Sequence, residues 1–357
     1  MANARLKSLD PDAIVPWLAA SFPRNHWSGL LAGVGEDDCG VIRVGKTFVV
    51  LSADFLNATP IVEQLGLGGE RTFGRLAVAA TLADLLGSGA VPRALLVGVT
   101  APYGYPEHLF KELMTGARIE SNRWNVPIIG GDTKLGRARA VLTCGLGTVD
   151  SARQLFLASG AKAGDAIFAS GCLGTCAAAT YLASRKRPKE PIPQWALRAI
   201  KEPQLPSVRS RTLAKLEIAH GGIDISDGLG ADLRRLGAAS GVGAVLEVGN
   251  IPVDRHVVAV ARSESVPPWA FSLASGGDFQ FIVTVPQRKC PRVEGLGFTR
   301  IGRITRERSF WLTDRTEQMC CRLPEVGHKD RRGQEFAGEI RRIVLQIKRG
   351  RQQTQSC

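Results

Sequence analysis

The sequence predicts a two-domain protein that mixes helices and strands, of the α+β or α/β class. At 357 residues the chain exceeds the size at which a single hydrophobic core stops growing. Its hydrophobic content of 44% and charged content of 22% are typical of a globular protein. Apolar runs flanked by glycine alternate with long helical patterns, and this alternation indicates a sheet covered by helices.

The first half of the chain predicts four strands and three helices. Apolar residues at helical spacing predict helices at 10–22, 72–87 and 106–122. Runs of β-branched and apolar residues predict strands at 47–53, 94–100, 127–129 and 139–149. The third of these strands runs directly into Gly130, Gly131 and Asp132.

The second half opens with the turn-rich stretch 159–165, and we place the domain boundary near residue 150. The same periodicities predict helices at 175–184, 207–219, 229–240 and 257–265 and strands at 166–170, 279–285, 300–305 and 309–312. The basic segment 185–193 predicts a solvated loop. We therefore divide the chain into domains at 1–150 and 151–318 and a basic C-terminal tail at 319–357. In this tail Phe336, Ile340, Val344 and Ile347 predict a packed helix.

The chain is strongly basic, with 46 Lys and Arg against 33 Asp and Glu. Such a balance fits either a nucleic-acid surface or a protein that handles small polyanions such as ATP. Because no pattern of interleaved aromatic and basic residues accompanies it, we favour a small anion and do not expect nucleic acid as a partner. No apolar run is long enough to span a membrane, and the N-terminus lacks an apolar signal core, so we expect a cytoplasmic protein without a membrane partner.

The aspartates are the most informative residues, because they recur in glycine-rich or apolar settings. Carboxylates in such settings are costly unless they are paired or bound to a cation. Magnesium prefers carboxylate oxygens and is often shared with phosphates, so the set predicts a site for hard cations and phosphate. The aspartates are Asp37, Asp38, Asp54, Asp84, Asp132, Asp224 and Asp227.

Two of these residues have a simpler alternative interpretation. Asp84 lies late in an apolar helix, where it could be a metal ligand or a core aspartate that caps a turn or pairs with Arg75. Asp227 directly precedes the helix predicted at 229–240. That helix N-terminus offers N–H groups to a phosphate, but Asp227 could equally be a plain N-cap.

The order of the motifs resembles the thiamine-monophosphate kinase family of the aminoimidazole ribonucleotide synthetase-like, or PurM-like, superfamily. The likeness covers roughly residues 28–315 in unbroken order. The motifs that carry it are GVGEDD, LSAD, LAVAATLADLLGSGAVPRALLVGV, IIGGDTKLG, SGAKAGDAIFASG, GIDISDGLGADL and SGGDFQFIVTVP.

The resemblance implies a PurM-like two-domain fold, in which the N-terminal sheet forms a dimeric barrel with a second subunit beside a C-terminal α+β domain. It implies Mg²⁺-dependent, in-line transfer of the γ-phosphoryl group of ATP to thiamine monophosphate, without a catalytic side chain of its own. The implied ATP contacts are Gly131, Asp132 and Ser226, and Asp278 is an implied substrate contact. The implied magnesium ligands are Asp38, Ser52, Asp54, Asp84, Asp132, Asp224 and Asp227.

The chain departs from the family pattern mainly where the acceptor would bind. The segment 55–61 lacks a histidine, and Ala158 stands where an arginine is expected. Apart from the acceptor positions, Ala53 replaces a hydroxyl residue that commonly serves as a further ligand. The segment GGDFQF at 276–281 lacks one acidic residue, although Asp278 remains. Two alternatives therefore stay open: a PurM-like ATP-dependent enzyme with another acceptor, and a non-catalytic nucleotide-binding relative.

Overall fold

The computed structural model describes residues 11–24, 27–56, 61–185, 191–274, 276–314, 319–324, 340 and 342–345. Within these ranges the chain forms two mixed β-sheets, one in each half, and both are covered by helices. The predicted two-domain fold class is therefore confirmed. No helix in these ranges is long and apolar enough to cross a membrane.

The first sheet orders its strands β1-β2-β3-β6-β4-β5. All neighbours are antiparallel except β4 and β5, which run parallel because α4 connects them. The strands are β1 (Leu30–Ala32), β2 (Gly40–Val44), β3 (Thr47–Leu56), β4 (Val91–Pro102), β5 (Ile128–Gly136) and β6 (Ala140–Val149).

Two long helices cover one face of the first sheet. On the central helix α3, Val78, Leu82 and Leu86 recur every four residues, and they pack with Leu95 of β4 and Ala117 of α4. The helices of this half are α1 (Pro11–Ser21), α2 (Ile61–Gln64), α3 (Glu70–Gly87) and α4 (Glu107–Trp124).

The second sheet orders its strands β13-β12-β9-β11-β7-β10-β8. Its pairs are antiparallel except for β12 with β9. Its strands are β7 (Ala166–Ala169), β8 (Gly221–Ile225), β9 (Gly243–Glu247), β10 (Gln280–Val285), β11 (Thr299–Thr305), β12 (Phe310–Asp314) and β13 (Met319–Arg322).

The helices of the second half enclose the largest hydrophobic core, which includes Tyr181, Phe271 and Leu233. They are α5 (Thr175–Arg185), α6 (Gln194–Lys201), α7 (Ser207–Leu216), α8 (Leu229–Ser240), α9 (Arg255–Ser263), α10 (Trp269–Ala274) and α11 (Cys290–Glu294).

The structure differs from the sequence prediction in several short elements. The strand expected at 127–129 continues through the glycines to Gly136, so Gly131 lies inside β5 rather than in an open loop. A Cβ atom on Gly131 would lie 1.9 Å from the carbonyl oxygen of Val97 on β4, and this close approach explains the glycine. The strands β1, β2, β8, β9 and β13 were not predicted, because each has five residues or fewer and little alternation.

The C-terminal residues that the structure describes belong to the second half. Strand β13 extends the second sheet, and Ile340, Ile343 and Val344 are buried in its core. Residues 340 and 342–345 are helical, in agreement with the spacing of Ile340 and Val344. Phe336, Ile347 and most of the predicted loop at 185–193 lie outside the described residues, and the division at 318 stays a prediction.

Candidate metal- and phosphate-binding site

Six aspartates meet where α3 passes between the two sheets, and we call them the acid cluster. One carboxylate oxygen from each of Asp38, Asp84 and Asp224 lies within 4.8 Å of the other two. The charges of the remaining members act on these three and on one another. The acid cluster consists of Asp38, Asp54, Asp84, Asp224, Asp227 and Asp232.

Gly87 at the end of α3 allows the cluster acids from the first half of the chain to approach those from the second half. A Cβ atom there would lie 2.9 Å from the backbone nitrogen of Asp224 and 3.0 Å from its Cβ. The C-terminus of α3 therefore rests directly on β8, which brings Asp84 close to Asp224. Gly87 immediately precedes the turn at the end of α3, and nothing in its sequence neighbourhood shows that it touches a strand 137 residues away.

The structure decides between the two interpretations of Asp84. Arg75 pairs with Glu120 at 2.8 Å and lies 3.7 Å from Glu202, so it is not the partner of Asp84. The Asp84 carboxylate instead accepts a hydrogen bond from the Ser52 hydroxyl, with 2.5 Å between Oγ and Oδ2. The side chain therefore points into the acid cluster rather than into a structural ion pair.

Strand β3 supplies Ser52 and Asp54 from the face that packs against α3. Alternate residues of a strand share a face, and Val50 and Ser52 are both buried there. The Oδ2 atom of Asp54 is buried without a hydrogen-bond partner, and the Oδ2 atom of Asp224 is buried in the same way. Buried carboxylate oxygens without a partner are costly, so both atoms fit the role of ligands to a cation.

Burial and mutual repulsion raise the pKa of the buried cluster members. The pKa of Asp84 is well above its ordinary value because of burial and then because of the charges on Asp54, Asp224 and Asp38. Asp224 is raised in the same way, first by burial and then by Asp38 and Asp232. Such a set of carboxylates is stable in its ionised form only with a cation among them.

The segment from β8 into α8 contributes Asp227 and two residues that the sequence interpretation missed. Asp232 accepts a hydrogen bond from the Asp227 backbone N–H at 3.0 Å. Arg235 forms ion pairs with the carboxylates of both Asp227 and Asp232. The available signal was the spacing Asp232–Arg235, three residues apart on one helix face, with Asp232 inside the motif GIDISDGLGADL and Arg235 two residues after it.

Asp227 is not the N-cap of α8. The N-cap is Gly228, which makes no side-chain capping bond, so the first N–H groups of α8 have no side-chain acceptor at that position. Ser226 precedes this turn and is half-buried. A helix N-terminus of this kind, next to the acid cluster, suits a phosphate group.

The acid cluster fits Mg²⁺ in the chemistry of its donors. All its candidate ligands are oxygens, two of them are buried without partners, and three carboxylates converge within 4.8 Å. Of the predicted ligands, Asp38, Ser52, Asp54, Asp84, Asp224 and Asp227 therefore lie together in the structure, whereas Asp132 lies apart from them.

Asp132 lies on the opposite face of the first sheet. Across the sheet, Asp54 of β3 lies opposite Thr143 of β6, which lies opposite Val97 of β4. Val97 in turn lies opposite Gly131 of β5. Asp54 and Gly131 are therefore three strand spacings, or about 14 Å, apart. Asp132 is the next residue and is 67% exposed, with its carboxylate 3.4 Å from the Lys134 amine. Within one protomer, Gly131 and Asp132 are thus separate from the acid cluster.

Asp278 has a structural explanation that the sequence did not show. Its carboxylate accepts hydrogen bonds from the backbone N–H groups of Gly174 at 2.6 Å and Cys176 at 2.8 Å, at the start of α5. Both carboxylate oxygens therefore cap this helix. A cavity of about 370 Å³ lies beside Asp278, lined also by Cys172, Arg209 and Gln280, and no acid-cluster residue lines it.

We expect the metal-free protein to lose stability as the pH rises. The folded-state pKa values of Asp84 and Asp224 are raised above the unfolded values, and that of the neighbouring Asp37 is raised by burial to about 7. The folded state therefore binds more protons, and its stability falls as the pH increases from about 4 to the raised values. Thermal unfolding in EDTA at several pH values measures this trend.

Excess Mg²⁺ is expected to weaken or reverse that trend, because divalent cations bind the ionised carboxylates. The Asp84→Asn variant is a control, since removing one acid flattens the dependence in EDTA. A melting temperature that rises with pH in EDTA, with no response to Mg²⁺ at pH 8, would contradict the interpretation.

The chain is similar to a known family model, to characterised proteins and to solved structures. Residues 36–149 match the family described as AIR synthase related protein, N-terminal domain. This range contains three residues of the acid cluster, Asp38, Asp54 and Asp84, and also Ser52. The chain is 31% identical over 267 residues to the thiamine-monophosphate kinase of Mycobacterium tuberculosis, covering 72% of this chain and 76% of that protein. It is 27% identical over 301 residues to the Pyrococcus horikoshii thiamine-monophosphate kinase, covering 84% of this chain and 92% of that protein.

Solved structures show the same fold. The structure described as AaThiL complexed with AMPPCP and TMP superimposes with a TM-score of 0.75 at 20% sequence identity, covering 93% of this chain and all of that one. The two-domain PurM-like architecture is therefore shared. On the strength of these sequence and structural similarities, the chain belongs to the thiamine-monophosphate kinase family.

Proposed function

We propose that this protein transfers the γ-phosphoryl group of ATP to thiamine monophosphate, giving thiamine diphosphate and ADP. Family membership supports the reaction, and the single structural observation that supports it is the convergence of Asp38, Asp84 and Asp224. Phosphoryl transfer depends on positioning and on neutralisation of phosphate charge more than on covalent chemistry by the protein. A cluster of carboxylates beside a helix N-terminus meets these two needs.

The residues have distinct roles in this proposal. Asp38, Asp54, Asp84, Asp224 and Asp227 would hold Mg²⁺ with their carboxylates, and Ser52 would add its hydroxyl or orient Asp84. Bound Mg²⁺ would supply charge neutralisation on the phosphates. Ser226 and the first N–H groups of α8 would bind phosphate oxygens and so fix the nucleotide relative to the acids. Because the acceptor phosphate is already ionised, no side chain is needed to remove a proton from it.

The decisive experiment is direct product detection. Purified protein, ATP and Mg²⁺ are incubated with thiamine monophosphate, and thiamine diphosphate and ADP are quantified together by chromatography. We expect the two products to form in equal amounts and only when the acceptor is present. ADP formation without thiamine diphosphate would count against the proposed acceptor, and the absence of both products would count against the reaction.

A different acceptor is the second candidate, and the changed acceptor positions favour it. The segment 55–61 without a histidine, Ala158 and the segment 276–281 depart from the family pattern, and the retained Asp278 is engaged by backbone N–H groups. The same assay distinguishes the two candidates when other small phosphorylated compounds are added in parallel. Direct binding of Asp278 to substrate remains a prediction, to which its two capping hydrogen bonds give no support.

We also propose that the protein acts as a homodimer through the uncovered face of the first sheet. Large apolar side chains project from this face on neighbouring strands and are exposed in the single chain. An apolar sheet face of this kind needs a partner surface, and a second copy of the same sheet offers a complementary one. The side chains are Ile42, Val44, Leu51, Phe55, Leu96 and Leu142.

The Phe55→Lys variant is expected to be monomeric and folded, whereas the natural protein is dimeric. Phe55 is 63% exposed on the open face, and a charge there would be buried without a partner in the dimer. The matched control is Val208→Lys, because Val208 is 75% exposed on α7, away from this face. Sedimentation velocity measures the oligomeric state, and a monomeric natural protein would refute the proposal.

The roles of Gly131 and Asp132 depend on the same arrangement. Asp132 pairs in register with Gly98, whose neighbours Val97 and Val99 are buried under the helices, so Asp132 belongs to the open face. We propose that Gly131 and Asp132 contact nucleotide or Mg²⁺ only in the assembled dimer. A cytoplasmic location also remains a prediction.

A further inference from the structure

We propose that Arg235 is a positioning residue that occupies the Asp227 carboxylate and thereby weakens Mg²⁺ binding at the acid cluster in the absence of nucleotide. The inference rests on the proposed role of the cluster in binding Mg²⁺. It adds a residue that neither the family comparison nor the sequence motifs assigned.

Arg235 is the cation in direct contact with the acid cluster among the residues that the structure describes. Its Nη2 atom contacts Asp227 Oδ2, and its Nη1 atom lies 2.8 Å from Asp232 Oδ1. The planar guanidinium thus bridges two carboxylates with separate nitrogens, which a lysine amine cannot do in the same geometry. The Arg235 side chain is 38% exposed, so it lies at the edge of the cluster and can rotate outward.

The charge of Arg235 also acts beyond these two contacts. Asp38 is exposed at the mouth of the cluster, and the charge of the Arg235 guanidinium acts on its carboxylate. A fixed positive charge near Asp38 and Asp227 repels a divalent cation that approaches the same oxygens. Arg235 therefore stabilises the cluster without metal and competes with metal for Asp227.

Asp232 fixes the position of Arg235, which competes with the metal for Asp227. It is 1% exposed, it binds Arg235 through Oδ1, and it binds the Asp227 backbone N–H through Oδ2. One carboxylate thus holds both the arginine and the loop that carries the candidate ligand. When Asp227 binds Mg²⁺, Arg235 can retain its contact with Asp232 while it releases Asp227. Metal and nucleotide are then expected to bind together rather than metal alone.

Metal binding without nucleotide tests the inference. The full-length protein is titrated with Mn²⁺ as a probe for Mg²⁺, and free Mn²⁺ is measured by electron paramagnetic resonance. We expect Arg235→Gln to bind Mn²⁺ at least about fivefold more tightly than the natural protein, because a repelling charge and a competitor for Asp227 are both removed. The Mg²⁺ concentration that gives half the maximal rate should fall by a similar factor, while kcat decreases because Asp227 is no longer held.

Two further variants keep the test decisive. Arg235→Lys retains the charge without the two-nitrogen bridge, so its Mn²⁺ affinity should rise by a smaller factor of about two. Arg234→Gln removes the neighbouring positive charge, whose guanidinium instead contacts the backbone oxygens of Leu323 and Pro324, and should leave the affinity unchanged. A purely structural arginine would alter the melting temperature without tightening metal binding.

The Mn²⁺ titrations distinguish failure of the inference from failure of the proposed function. Unchanged or weaker Mn²⁺ binding in folded Arg235→Gln and Arg235→Lys would overturn the inference and leave the proposed function intact. Failure of the natural protein to bind Mn²⁺ with or without ATP would overturn the metal role of the acid cluster, and the inference with it.

Discussion

Replacement of Asp84 by Asn is expected to reduce ATP turnover by at least about a thousandfold while the fold is retained. Asp84 lies at the centre of the acid cluster, with Ser52 bound to its carboxylate and Asp38 and Asp224 within 4.8 Å. The amide has the same shape but carries no charge, so it cannot neutralise a divalent cation. Initial rates of ADP formation at saturating Mg²⁺ measure the effect.

The stability of the same variant gives an independent check. The pKa of Asp84 is raised by burial and by three neighbouring acids, so loss of its charge should stabilise the metal-free protein. We therefore expect a melting temperature in EDTA at pH 8 that is higher than that of the natural protein. Asp150→Asn, at an exposed aspartate after β6, is the control and should change neither quantity. Full activity in folded Asp84→Asn would show that the cluster is structural.

A comparison with Asp132→Asn distinguishes the role of Asp132 from that of the acid cluster. Asp132 is exposed, lies on the other face of the sheet and pairs with Lys134. Because Asp132 lies apart from the acid cluster within one protomer, its loss should reduce activity less than the loss of Asp84 and should not change the stability in EDTA. Equal losses would mean that Asp132 reaches the same metal site.

The second large effect is expected from Gly276→Ala. A Cβ atom at this position would lie 1.6 Å from the carbonyl oxygen of Ser226 and 2.6 Å from the backbone nitrogen of Asp227. Because both contacts are backbone, the β8–α8 turn must move to accommodate the methyl group. A displacement of about 1 Å at a reacting centre costs about a hundredfold in rate, and overpacking of this kind costs about 1–3 kcal/mol of stability.

Gly249→Ala is the matched control for this prediction. It adds the same methyl group at an exposed glycine where no other atom lies within 4 Å of the new Cβ. Steady-state kinetics and urea unfolding of both variants measure the difference. If Gly276→Ala behaved like Gly249→Ala, the tight packing of Gly276 against Ser226 would not be what positions the turn.

The sequence predicted the elements with clear periodicity and missed those without it. Helices α3, α4 and α8 and strands β3, β6 and β10 match the expected positions closely, because each is long or strongly apolar. The segment 221–225 was not predicted as a strand, although β8 carries Asp224. Its five residues begin with two glycines, and its strand conformation depends on pairing with β10.

The ambiguity of single aspartates could not be resolved from sequence. Asp84 could have paired with Arg75, but Arg75 is held by Glu120 on α4, a residue 45 positions away. Asp278 looked available to substrate, but the backbone of 174–176 uses both its oxygens. In each case the deciding partner is distant in the chain, so local patterns carry no information about it.

The sequence by itself determined the family, the two-domain class and the candidate acids, because these follow from composition, periodicity and motif order. Only the tertiary structure decided which acids meet. Gly87 allows α3 to touch β8, the strand register separates Asp132 from Asp54, and the first turns of α8 bring Arg235 to Asp227. The physical reason is that a cation site is defined by distances between oxygens, and those distances are set by packing between segments far apart in the chain.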